Sequence, residues 1–221
     1  MNERIITESL EFVFKLRLNA ILTTPTDFSP ERESLPLIVF LHGADESGDD
    51  LELVKRHGIP KLFTADPDCD RTRVITLSPQ CPKGFGWREL ILDRVFDMIN
   101  DVARKYNADP DRISLTGVSM GGFGTFQLAC KHPDFFSCIA PVCGGGDPKQ
   151  AGVLKMPVWA FHGDNDNIVP QKFSKEMVDA INAAGGDAKL TVFENCGHAS
   201  WVPAYEGSDA LIRFLADTKR A

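Results

Sequence analysis

The sequence predicts an α/β architecture: a mostly parallel central sheet covered by helices on both faces. Continuous apolar runs that end in glycine, such as LPLIVFLHG (35–43), have the pattern of strands buried on both sides. Stretches with helical periodicity alternate with those runs along the chain, as in repeated β–helix–β units. The 221 residues are 43% hydrophobic, with an ordinary 18 Gly and 14 Pro, which excludes collagen-like and disordered classes. With no internal repeat and no linker-like stretch, residues 1–221 are expected to form a single domain.

The elements follow in order. In the N-terminal region at about 8–24, Phe12, Phe14, Leu16 and Leu18 alternate with Val13, Lys15, Arg17 and Asn19, predicting a half-buried edge strand. TTPTDFSPERESLP (23–36) is a loop rich in Pro, Ser and Thr. Buried strands are expected at 35–43, 73–79, 112–118, 137–145, 156–163 and 188–195. Within 88–107, Leu92, Val95, Phe96, Ile99 and Val102 form a helical stripe. Further helices are expected at 120–132, 171–185 and 207–219. The one at 171–185 closes on Gly185–Gly186, a C-cap signal.

The formal net charge of −7 argues against polyanion partners, because a non-specific nucleic-acid binder needs a basic footprint. It argues equally against an anionic membrane surface. No apolar run approaches the ~18–20 residues of a membrane span. Charges at Glu3, Arg4, Glu8, Glu11, Lys15 and Arg17 break any apolar leader segment, so no signal peptide is expected. The six cysteines (69, 81, 130, 138, 143 and 196) include no C-x-x-C pair and are expected as reduced thiols in the cytoplasm.

GVSMG (117–121) matches G-x-S-x-G and sits between a predicted buried strand and a predicted helix, the strand–turn–helix context of a nucleophile elbow. Ser119 would stand on the sharp turn, with Gly117 and Gly121 letting strand and helix approach. Such an elbow needs a carboxylate and then a histidine, in that chain order. HGDNDNIVP (162–170) and GHASW (197–201) supply them, each after a predicted strand. Asp166 is preferred over Asp164 because it lies deeper in its loop, just before Val169–Pro170. His198 is the candidate base. His42 and His162, each ending a strand before Gly, are structural candidates near the site. His57 and His132 read as surface or C-cap residues. Oxyanion donors are expected from the residue after the nucleophile, Met120, and from the loop HGADESGDD (42–50), at Ala44. No H-E-x-x-H or paired C-x-x-C occurs, and Gly144–Gly146 lack a dinucleotide fingerprint, so neither metal nor cofactor is expected.

Taken together, LIVFLHGADESGDD, SPQCPKGFGW, GVSMGGFGTFQLACKHPDFF, PVWAFHGDNDNIVP and NCGHASW resemble an α/β-hydrolase over about residues 36–215. The chain is similar to small esterase groups: the predicted-peptidase/carboxylesterase branch and the phospholipase/carboxylesterase and polyhydroxybutyrate-depolymerase-like sets. The resemblance implies a triad of Ser119, Asp166 and His198, with oxyanion donors at Ala44 and Met120. It implies a serine carboxylesterase acting on a small-molecule ester. A peptidase or aminoacyl-amide hydrolase, a feruloyl-type esterase and a non-catalytic binding module are the alternatives. Where the predicted-peptidase branch has H-G-A-G-E-R-G, this chain carries Asp45 and Ser47. About ten residues (146–155) separate two predicted strands where relatives insert a cap, too few for a lid that needs at least ~40. Trp87 and Trp201 are candidate pocket walls, and Trp159 is expected in the core.

Overall fold

A computed structural model describes residues 18–65 and 72–220. Among them, seven strands form one sheet: β1 Ala20–Thr23, β2 Leu35–Leu41, β3 Ile75–Pro79, β4 Ala108–Val118, β5 Cys138–Val142, β6 Val158–Gly163 and β7 Ala188–Phe193. Their spatial order is β1-β3-β2-β4-β5-β6-β7. β1 runs antiparallel to β3, and every other pairing is parallel. Parallel neighbours need crossovers, which helices supply. These are α1 Leu51–Val54, α2 Gly58–Ala65, α3 Glu89–Lys105, α4 Met120–Lys131, α5 Lys172–Ala183, α6 Trp201–Glu206 and α7 Ala210–Asp217. Short 3-10 turns add Ala44–Glu46 and Pro148–Val153.

All seven residues of β2 are buried. On one face of the sheet α3, α4 and α5 bring Leu92, Val95, Phe126, Met177 and Ile181 against Leu37, Val39 and Leu115. On the other face α2, α6 and α7 bring Ile59, Phe63, Tyr205, Ile212 and Leu215 against Ile38, Phe40 and Ala140. Each of these large side chains contributes about 1.5–3 kcal/mol by leaving water, so the two layers dominate the favourable side of folding. The chain leaves β2 to one side for β3 and returns to the other for β4. That reversal makes the C-terminal edge between β2 and β4 a switch point, where open α/β sheets build their sites.

Several expectations are corrected. β7 is not buried on both faces: it is the last strand in the sheet, and all six of its residues are half-buried or exposed. β4 begins at Ala108 rather than near 112. Its register against β2 slips where Leu35 faces Ala108 and Leu37 faces Ile113. Pro110 offers no ladder N–H in that looped-out stretch, which Asp109 and Arg112 close with an ion pair at 2.7 Å. β5 ends at Val142, where Cys143 turns the chain with φ 40°. Of the predicted N-terminal strand, Phe12, Phe14 and Leu16 lie outside the described residues, as does Cys69; the edge strand begins at Ala20. The short helices α2 and α6 had not been expected.

Candidate active site

Ser119 sits between β4 and α4 with φ 52° and ψ −115°, in the left-handed half of conformational space where side-chain-bearing residues are strained. Its N–H is held by Val142 O of β5 at 3.0 Å. The flanking glycines are sterically required. A Cβ on Gly121 would come to 1.9 Å from Leu41 O, and one on Gly117 to 2.5 Å from Gly121 O. The elbow thus packs directly on the end of β2.

His198 lies beyond β7, where Asn195 (φ 54°) turns the chain back over the sheet edge. The loop after β6 is laced to it: Asn165 N–H donates to Cys196 O at 2.9 Å, and Cys196 N–H donates to Asp164 Oδ1 at 3.1 Å. Asp164 is therefore an exposed brace between two loops. Asp166, 8% exposed, points inward. Its Oδ1 accepts the N–H groups of Ile168 and Val169, each at 2.9 Å, and its Oδ2 lies 2.8 Å from His198 Nδ1. His198 Nε2 lies 2.9 Å from Ser119 Oγ. Burial alone pushes the Asp166 carboxyl up, but the hydrogen bond from His198 and the two loop N–H groups outweigh it and hold it below the usual carboxylate range. An ionised acceptor at Asp166 fixes the proton of His198 on Nδ1, leaving Nε2 to accept from the Ser119 hydroxyl.

The loop 42–50 is bolted down from behind. Cys81 N–H donates to His42 Nε2 at 2.9 Å, so the ring proton is on Nδ1, which faces Gly43 O at 2.6 Å. Burial pushes the His42 imidazole down to about 4, so the ring is neutral. Trp87 donates its indole N–H to His42 O at 2.9 Å, and Gln80 donates to the carbonyls of Glu46 and Asp50. Ala44 opens the short 3-10 turn and Met120 opens α4. First-turn N–H groups have no acceptor within their own helix, so both are free to face a developing negative charge.

A cavity of about 270 Å³ is lined by Ser119, His198, Ala44, Asp45, Glu46, His57, Val118, Ile168, Gly43 and Trp201. Trp201, at the start of α6, sets its ring edge-on to His198 with centroids 5.4 Å apart. Trp87 differs: it is 3% exposed, and most of its ring belongs to the core beneath the His42 loop. A second cleft of about 660 Å³ starts at Met120 and runs along Phe123, Phe85, Leu90 and Ile91, with Trp87 contributing part of its floor. Trp159 is partly buried beside Phe161, with Lys189 Nζ 3.4 Å above its ring.

Two further residues reach the site that sequence reasoning passed over or misplaced. Glu46, 5% exposed, lines the cavity, and its Oε1 lies 3.7 Å from His57 Nε2. Burial raises the Glu46 carboxyl, against the opposing influence of His57. His57 is thus a cavity residue, correcting its reading as a surface or cap histidine. His132 does sit at the C-cap of α4, stacked on Phe96 at 3.5 Å. Among the described residues, Cys143, Asp166 and His198 have ligand atoms within 4.8 Å of one another. Burial pushes the Cys143 thiol up to about 12, however, so the thiolate a metal would need is disfavoured.

Sheet order, elbow and helix placement define an α/β hydrolase. A solved thermostable esterase has the same fold, with TM-score 0.81 and 32% identity over 92% of this chain and 60% of that one. The profile of the dienelactone hydrolase family matches residues 66–211, and the chain belongs to that family. A protein of Escherichia coli strain K12 assigned as a carboxymethylenebutenolidase is 28% identical over 127 residues, 52% of this chain and 47% of that protein. A bifunctional acetylxylan esterase/xylanase of Neocallimastix patriciarum is 27% identical over 156 residues, 66% of this chain and 21% of that protein. The chain spans about half the length of the first of these relatives and less of the second. No helix among the described residues is long and apolar enough to cross a membrane.

Proposed function

We propose that this protein hydrolyses carboxylic esters of small molecules through an acyl-serine intermediate. The observation that carries the reading is the unbroken relay Ser119 Oγ to His198 Nε2, then His198 Nδ1 to Asp166 Oδ2, at 2.9 and 2.8 Å. His198 takes the proton of Ser119 as its oxygen attacks the ester carbonyl. The N–H groups of Ala44 and Met120 stabilise the oxyanion. His198 then gives the proton to the departing alcohol, and water activated by the same imidazole releases the acid from Ser119. Asp166 keeps the imidazole in the required tautomer and stays ionised. A reducing compartment such as the cytoplasm suits the five described cysteines, all thiols and three of them buried.

The test is turnover of p-nitrophenyl acetate and labelling by a fluorophosphonate probe. Ser119→Ala is expected to lose labelling and to lower kcat by about 10⁴-fold or more. An active Ser119→Ala enzyme sinks the proposal. An aminoacyl-amide substrate run alongside is expected to turn over far more slowly than the ester.

A further inference from the structure

The 270 Å³ cavity that holds Ser119 and His198 is also lined by two titratable side chains that ester hydrolysis itself does not use. In its lining Glu46 and His57 face each other; the Glu46 carboxyl is held by the backbone N–H groups of Gly43 and Glu46, and Trp201 stands between the rings of His57 and His198. The separation of 3.7 Å between Glu46 Oε1 and His57 Nε2 is too long for a direct hydrogen bond. A hydroxyl oxygen about 2.8 Å from each, at an angle near tetrahedral, needs them about 4.6 Å apart, so the pair must open by about 1 Å as the hydroxyl enters. A carboxylate is an acceptor, and the imidazole nitrogen turned toward it is a donor. Such a pair matches a group that both donates and accepts, which is a hydroxyl.

The position says which half of the substrate carries that hydroxyl. His198 must protonate the leaving oxygen, so the alcohol half lies on the His198 side of Ser119. The acyl half is left the Met120 side, where the second cleft is lined by Phe123, Phe85 and Leu90 together with Arg88 and Gln127. We propose that the Glu46–His57 pair is a leaving-group subsite for the alcohol half of a polyol ester, a sugar or glycerol-type ester, binding a hydroxyl of that alcohol. This rests on the esterase reading. Glu46, with Asp45 on the same wall, opposes a leaving group carrying a carboxylate. An ammonium would satisfy the acidic groups but leave the His57 donor without an acceptor. The cavity is small enough that only one sugar-sized alcohol fits at a time.

Three acetates test it: glycerol monoacetate, propyl acetate and acetylcholine. All give the same acetyl-Ser119, so deacylation is common to them and kcat/KM reports on the alcohol half alone. Wild-type enzyme is expected to prefer glycerol monoacetate over propyl acetate by about tenfold, the worth of one well-placed hydrogen-bonding pair. His57→Phe keeps a ring against Trp201 and removes only the donor; it is expected to bring the ratio close to one. Glu46→Gln is expected to reduce the ratio as well, and serves as the second variant. If wild type cleaves the acetates without preference, or if His57→Phe leaves the ratio intact, the subsite is overturned while the esterase reading stands. A preference for acetylcholine overturns it in favour of a cation site. If wild type turns over p-nitrophenyl acetate but cleaves none of the three, the subsite is overturned; if it neither turns over p-nitrophenyl acetate nor takes the fluorophosphonate label, the esterase reading itself falls, and the subsite with it.

Discussion

Two strands of this sheet meet the same dipeptide, His-Gly, which follows β2 and closes β6, and each histidine is buried at the edge of the site. His42 and His162 are 1% and 0% exposed. Their partners differ. His42 receives a hydrogen bond from Cys81 N–H and faces Gly43 O, one acceptor role and one donor role, which suits a neutral ring. It ties the loop 42–50 to the segment just after β3. His162 turns Nε2 toward two acceptors, Val169 O at 2.8 Å and Asp166 Oδ2 at 3.3 Å, and turns Nδ1 toward Ser174 Oγ at 2.8 Å. Nε2 must therefore carry a proton. One histidine shapes the place where negative charge would develop; the other supports the carboxylate that would balance positive charge on His198. The same local sequence is put to opposite electrostatic uses because the following loops present different groups to it.

The largest expected effect separates the two aspartates after β6. Asp166→Asn keeps the shape of the carboxylate but offers His198 an uncharged partner, and kcat on p-nitrophenyl acetate is expected to fall about 10⁴-fold. Asp164→Asn can still accept from Cys196 N–H, so a loss within about threefold is expected. Comparable losses in the two variants would erase the distinction drawn from their burial. Next in size is His162→Leu, expected to lower kcat about 10- to 100-fold with little change in KM, because Asp166 loses a supporting donor and its loop drifts. His162→Gln restores an N–H near the Nε2 position and is expected to recover part of that loss. His42→Gln keeps an acceptor for Cys81 N–H and loses the donor to Gly43 O. About a tenfold fall in kcat is expected, less than the removal of a whole oxyanion donor.

Much of this site was legible because its chemistry is written in short segments at strand ends. Ser119 between two glycines, Asp166 before Val169–Pro170 and His198 after Gly197 each stand in a loop whose preceding strand is an apolar run. Chain order then assigned the roles. Glu46 and His57 were illegible for a physical reason. Glu46 is buried only because a three-residue turn folds back onto Gly43. His57 enters the cavity because α2 starts at Gly58 with φ 62° and packs on Phe40. Neither carries a periodic signal. β7 was misread because its apolar content matches a central strand, while its place at the edge follows from crossovers that no local window contains. The early start of β4 depends on pairing with Leu35, a partner more than seventy positions away.

The pH dependence of stability sharpens the contrast further. The folded His42 imidazole titrates at about 4, against an ordinary 6.5. Between those values the unfolded chain holds a proton that the folded chain refuses. The stabilisation is full above about pH 6.5 and drains as the pH falls toward 4, with a ceiling of about 3 kcal/mol. His162 and Asp166 are also shifted downward, so they act in the same direction. The difference between wild type and His42→Gln isolates the His42 share. Urea unfolding at pH 7 and pH 5 is expected to show a smaller drop for the variant, and equal drops would remove His42 from the account.

The smallest effect tests how the loop 42–50 is held rather than what it holds. Trp87→Phe keeps most of the buried ring and removes the N–H that reaches His42 O at 2.9 Å. The orphaned carbonyl and lost hydrogen bond should cost about 1 kcal/mol of unfolding free energy. If Trp87 were mainly a wall for substrate, KM would rise while stability held. If it is mainly a prop beneath the loop, as its 3% exposure and its bond to His42 argue, stability drops and KM stays near its wild-type value. The split between KM and urea midpoint therefore decides which side of the loop this residue serves.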